Sequence, residues 1–184
     1  EFDQKDLLFV RIDRRRKLPA SIILKALDYS TEEILSLFFD NDRVTLLAES
    51  AEVDLVPERL RGQELDFDLT TPSGKVIIEA DKRITARHIR ELEKAGIKSL
   101  PVPDSYILER ALSRDIVDLE TGEVLASAND EITPELLAKF REVGVEAFET
   151  IYTNDLDRGP YISDTLRTDA TGSALEAQVE IYRM

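Results

Sequence analysis

Residues 73–100, SGKVIIEADKRITARHIRELEKAGIKSL, align without a gap with residues 121–148, TGEVLASANDEITPELLAKFREVGVEAF. Six positions are identical: Gly74/Gly122, Val76/Val124, Ala80/Ala128, Ile84/Ile132, Thr85/Thr133 and Gly96/Gly144. Apolar residues face apolar residues at Ile89/Leu137, Leu92/Phe140, Ala95/Val143, Ile97/Val145 and Leu100/Phe148. Agreement at fixed period across both helical and turn positions is the signature of an internal duplication.

Each copy reads as strand, turn, strand, helix, strand. The glycine of SG or TG supports a turn of positive φ, KVIIEA or EVLASA follows as a strand, and ELDFDL or DIVDL upstream offers the hairpin partner. Thr85 and Thr133 stand at N-cap positions, Pro134 at the first helical position, and Gly96 and Gly144 as C′ caps. Helices are therefore predicted over about 86–95 and 134–143, and IKSLPV and VEAFETIY restore strand character. Neither ββαβ unit alone buries both a sheet face and a helix stripe, so the two are expected to pack together. The fold class is α+β: two ββαβ-like repeats, about 63–102 and 112–152, form a module inserted over 39–154.

The flanks differ from the module. SIILKAL (21–27) and EEILSLFF (32–39, after Ser30 and Thr31) carry helical spacing, and the second flank holds the turn Arg158-Gly159-Pro160 before a terminal strand or helix. Residues 1–38 and 155–184 are expected to meet as parts of a second domain, incomplete in view of its abrupt start at Glu1. Charge divides the same way. The chain has 24 Lys+Arg against 38 Asp+Glu, a net charge of −14. Residues 1–38 hold seven of each sign and residues 155–184 three cations against six acids, which leaves 14 against 25 in the middle.

With 42% hydrophobic residues the chain lies outside the regime of disorder. No apolar run approaches the roughly 20 residues of a membrane span, and no secretory signal opens the chain, so a cytoplasmic protein fits. The absence of Cys removes disulfides, thiol nucleophiles and thiolate metal sites. There is no Gly-rich phosphate loop and no Ser–His or His–carboxylate constellation, so no catalytic, cofactor-binding or metal-binding residue is assigned. His88, the one histidine, sits on a predicted helix opposite Leu136 of the other copy and reads as structural. The acids of DFD (66–68) and NDLD (154–157) read as solvated, without EF-hand spacing.

One stretch resists the acidic background: RIDRRRKLPA, residues 11–20. Arg14, Arg15, Arg16 and Lys17 are adjacent, and Leu18-Pro19 biases the backbone toward extension. Their partners are either carboxylates of the same domain or phosphates and acidic surfaces of another molecule, and spacing leaves both open.

FVRIDRRRKLPASIILKALDYSTEEILSLFF, LVPERLRG, KRITARHIRELEK and YTNDLDRGPYISDTLR with ALEAQVEIYRM together resemble the β subunit of bacterial DNA-directed RNA polymerase, with Lys82 where the family pattern has arginine. The resemblance runs end to end. It is weakest over 40–53 and 103–120, which read as variable loops or strand edges. It implies that the flanks belong to the lobe domain, one wall of the DNA channel, and that the middle is a lineage-specific insertion of β-β′ module type. It further implies a part of a nucleotidyltransferase that is inactive by itself, with the catalytic magnesium in the partner β′ subunit. Expected partners are the α, β′, ω and sigma subunits, DNA, and a regulator or phage protein on the insertion, in a cytoplasmic, nucleoid-associated enzyme. Arg14, Arg15, Arg16 and Lys17 become the expected channel or nucleic-acid contacts, and Arg11 is assigned to pairing within the lobe. The competing readings from the residues alone are a stand-alone acidic protein-interaction adaptor and a small nucleic-acid-binding module using Arg14–Lys17.

Overall fold

The cationic stretch forms a hairpin. In the computed structural model, which describes all of residues 1–184, β1 (Phe9–Arg11) pairs antiparallel with β2 (Lys17–Pro19), Val10 opposite Leu18. Pro19 can close β2 because its missing N–H costs nothing at a strand end. Two helices follow, α1 (Ser21–Ala26) and α2 (Thr31–Phe38). Ser30 and Glu33 form a reciprocal capping box: Ser30 Oγ accepts from the Glu33 amide at 3.2 Å, and the Glu33 carboxylate accepts from the Ser30 amide at 2.8 Å.

Next come β3 (Asn41–Leu46), β4 (Ala51–Asp54), the single turn α3 (Pro57–Leu60), β5 (Leu69–Thr70) and β6 (Val76–Ile78). Helix α4 (Ala86–Lys94) leads to β7 (Ser99–Val102) and the short α5 (Asp104–Ile107). Then β8 (Ile116–Val117), β9 (Val124–Ala126), α6 (Pro134–Glu142) and β10 (Ala147–Ile151) precede the two last helices, α7 (Tyr161–Thr168) and α8 (Ala174–Tyr182). Eight helices and several small sheets make the fold α+β.

Contacts divide the chain into two compact units. The first comprises Glu1–Asn41, Ala111–Glu131 and Thr150–Met184. One of its apolar clusters gathers Ile34 and Leu35 of α2, Ala111, Ala128, Ile151, and Ile162 and Leu166 of α7. Another joins Leu18 and Ile22 to Ala177 of α8, flanked by Val10, Ile181 and Met184. Asn129, at φ 73°, donates from its side chain to the Ser163 carbonyl at 2.9 Å and accepts from Ser163 Oγ, which fastens the β8–β9 hairpin to α7. Deeper in, Asp169 accepts from Ser21 Oγ at 2.7 Å and pairs with Lys25 at 3.3 Å, tying the end of α7 to α1.

The second unit comprises Asp42–Arg110 and Ile132–Glu149. Its sheet runs β10-β3-β4-β7, so the β3–β4 hairpin is central and β7 and β10 are the edges. Val44 faces Val53 across the hairpin, and Val53 in turn faces Leu100 of β7. Residues 40–53, which read from sequence as variable loops or strand edges, form the β3–β4 hairpin in the middle of the sheet. Within 103–120 likewise lie α5 and β8. Buried Asp42 pairs with Arg59 and, at 3.2 Å, with Arg110, whose guanidinium lies 4.3 Å from the Tyr106 ring centroid. Arg141 of α6 grips Asp104 through two hydrogen bonds, 2.6 and 2.7 Å, and donates to the carbonyls of Leu47 and Ser50 in the β3–β4 turn.

Helices α4 and α6 have nine residues each and stand at equivalent places in the two aligned segments. Gly74 and Gly122 adopt φ 87° and 74°, Gly96 and Gly144 φ 65° and 80°. The hairpins β5–β6 and β8–β9 are shorter than the apolar runs suggest, two residues against three, each with a register shift. By contact, the hairpin of the later segment lies in the first unit and its helix α6 in the second. The expected boundaries of an insertion, 39–154, concern ancestry rather than compactness.

Candidate nucleic-acid interface

The β1–β2 hairpin places Arg14, Arg15 and Arg16 in its turn and Lys17 at the start of its return strand, all four exposed. Asp13 and Arg14 both adopt left-handed backbone, φ 52° and 57°. For a residue with a Cβ that conformation costs about 1 kcal/mol or more, and Arg14 holds it at the outermost point of the turn.

The four cations have different environments. Arg16 pairs with Glu180 of α8 at 2.9 Å, and Arg15 donates to the backbone oxygen of Met184. Lys17 lies 4.6 Å from the centroid of the Phe9 ring and 4.0 Å from the Glu1 carboxylate. Arg14 makes no ion pair or side-chain hydrogen bond. Arg11 bonds Glu1 at 3.3 Å and the Arg15 carbonyl at 3.4 Å. Hydrogen bonding from Arg11, then its charge, holds the Glu1 carboxyl below its ordinary range. The hairpin thus anchors three of its cations on carboxylates, a carbonyl and an aromatic face and leaves Arg14 projecting. Glu180 could not be found from spacing, because 164 residues separate it from Arg16.

His88 has a local task. Its Nδ1 accepts from the Thr85 amide at 3.2 Å, at the N-terminus of α4. Of the acids, Asp68 accepts from the Ala80 amide at 2.8 Å. In the other acidic run Asn154 does the organising, its side-chain oxygen accepting from the amides of Leu156, Asp157 and Arg158. These are turn-forming roles. No cluster of three or more His, Asp or Glu side chains is arranged to hold a metal ion. A cleft of about 460 Å³ in the first unit is lined by Lys25, Thr31, Asn129, Glu131 and Arg167 among others. Its cations are engaged, Lys25 by Asp169 and Arg167 by Asp164 at 2.7 Å and Glu131 at 3.6 Å. No helix is long and apolar enough to cross a membrane.

The hairpin, α1, α2 and the β3–β4 hairpin fall within one matched segment: residues 1–59 match the family model described as RNA polymerase Rpb2, domain 2. The match continues through residues 40–53, where the resemblance read from sequence is weakest. That family belongs to DNA-directed RNA polymerase, a nucleotidyltransferase that assembles from several subunits. Over these residues the chain is similar to the lobe domain of RNA polymerase β subunits, a component of the transcription machinery.

Proposed function

We propose that this chain forms part of one wall of the DNA channel of RNA polymerase, with the β1–β2 hairpin turned toward nucleic acid. The observation that carries this reading is Arg14, an unpaired guanidinium held at a left-handed position on the hairpin tip, inside the segment that matches the lobe model. Strained backbone with an uncompensated charge is the arrangement of a group presented to something outside the chain. Arg15, Arg16 and Lys17 supply a supporting positive field, and Arg14 makes the direct phosphate contact.

Residues 39–154 form a peripheral docking platform built by duplication of a ββαβ unit. The equivalent spans of α4 and α6 and the paired positive-φ glycines support this reading. Catalysis belongs to other parts of the enzyme, with magnesium held by the β′ subunit, and the chain by itself is inactive. In the cell it works in the cytoplasm, with the α, β′, ω and sigma subunits around it.

The test uses assembled polymerase carrying Arg14→Ala. Dissociation of a promoter complex is measured as a function of salt, and loss of one phosphate contact lowers the logarithmic salt slope by about 0.9. An unchanged slope and unchanged affinity would overturn the assignment of Arg14.

A further inference from the structure

Helices α4 and α6 bury equivalent positions, Ile89/Leu137 and Leu92/Phe140, and expose equivalent ones. Their outward faces differ in sign. Arg83, Arg87, Arg90 and Lys94 follow one another at intervals of three or four residues, so those on α4 form one stripe, and all four are exposed. The corresponding positions in the other segment are Glu131, Glu135, Ala138 and Glu142, also exposed. A fold that needed cations there would need them twice.

The helix dipole does not favour a cation at its start. Arg87 sits in the first turn of α4, where the free amides and the macrodipole favour anions, and α6 has Glu135 at that place. Arg87 is paired with Glu91 at 3.0 Å, an exposed contact of small worth. Arg83, Arg90 and Lys94 make no ion pair. Lys94, in the last turn, suits the helix dipole, but Arg87 does not, and the stripe as a whole runs against the acidic balance of the chain.

We infer that the outward face of α4 is a docking surface for an acidic segment of a protein partner. The inference rests on the reading of residues 39–154 as a docking platform and names the chemistry of what docks. Charge complementarity selects an anionic occupant. A peptide with discrete carboxylates fits better than a nucleic-acid backbone, because Glu91 borders the stripe and would be pressed against a continuous row of phosphates. The surrounding unit, moreover, carries 18 carboxylates against 13 cations and repels an extended polyanion. A short acidic helix with glutamates every third or fourth residue matches the pitch of the stripe and avoids that field.

The test is made in assembled polymerase with the variant Arg87→Glu/Arg90→Ala/Lys94→Glu, which writes the α6 surface onto α4. The probe is a fluorescein-labelled, alanine-based helical peptide with glutamates at every third or fourth position, and binding is followed by anisotropy. The variant should bind it about tenfold more weakly, the loss of a few exposed ion pairs of ordinary strength. A counterpart peptide with lysines for glutamates should prefer the variant. The variant β subunit should unfold at about the parent's midpoint, since Arg87→Glu gains at the N-terminal end of the helix what Lys94→Glu loses in its last turn. Equal binding of the acidic peptide to both proteins would overturn the inference. So would a lowered unfolding midpoint, which would make the stripe structural, or a loss confined to duplex DNA binding, which would make the face a nucleic-acid contact. The channel reading is tested separately, by the salt dependence of Arg14→Ala, so each reading can fail alone.

Discussion

At the scale of single residues, the opposing demands of charge and burial are clearest at Asp169. Burial by itself raises its carboxyl, but hydrogen bonds from Thr171 and Ser21 and the charge of Lys25 outweigh this and hold it below the ordinary 3.8. The carboxylate is about 1% exposed and Lys25 about 13%, so removing the acid strands a nearly buried ammonium. Asp169→Ala is expected to destabilise the chain by about 3 kcal/mol, measured by urea unfolding. Arg14 is the converse case. Arg14→Gly relieves left-handed strain and should stabilise the chain by about 1 kcal/mol, while weakening promoter complexes in the assembled enzyme. A stabilised chain with undiminished DNA affinity would separate the strain from function. Four adjacent cations were legible in the sequence, but their partners were not, because Glu180 and Met184 reach the hairpin only through the packing of α8 on α1.

At the scale of elements, local signals predict structure well wherever the determining residues are neighbours. Ser30 announces the start of α2, Pro134 and Thr133 that of α6, and Gly144 its end, since each acts on backbone groups within one turn. Ser30→Ala should cost about 1 kcal/mol, seen as a lowered denaturation midpoint at unchanged m-value. Gly144→Ala should cost about as much, because a Cβ meets no neighbour within 4 Å there and only the φ of 80° penalises it. The β3–β4 hairpin shows the limit of such signals. NDRVTL and AEVD contain too few apolar residues to stand out as strands, and they become the centre of a sheet because β7 and β10 pair on either side. Strand pairing is non-local, so the information lies in the partners.

At the scale of the whole molecule, two lowered carboxylates that are partly buried, Asp169 in the first unit and Asp104 in the second, contribute to the response to acid beside the exposed Glu1, Asp3 and Glu33, which are lowered as well. Hydrogen bonding from Arg141 is the largest cause at Asp104, whereas at Asp169 burial is the largest single influence and the hydrogen bonds and the charge of Lys25 together outweigh it. Both folded values lie below the ordinary 3.8, so the unfolded chain binds more protons on acidification. Their contribution is full above that ordinary value and is lost as pH falls through the folded values. Stability measured by urea should accordingly fall as pH drops below about 4. Asp104→Asn and Asp169→Asn should each flatten that fall, and an unflattened curve would locate the acid response elsewhere.

By itself the sequence determined helices α4 and α6, their caps and turns, and the concentration of cations in one short stretch. These depend on residues within a few positions of one another, and the 48-residue offset makes the same signals appear twice. Tertiary structure alone decided that the hairpin of the later segment packs with α7 while α6 lies in the other unit, that β3 and β4 take the centre of the sheet, and that only Arg14 of the cationic run stays unpaired. Each of these depends on which distant surfaces bury one another, a choice made by the summed contacts of the folded chain rather than by any local run of residues.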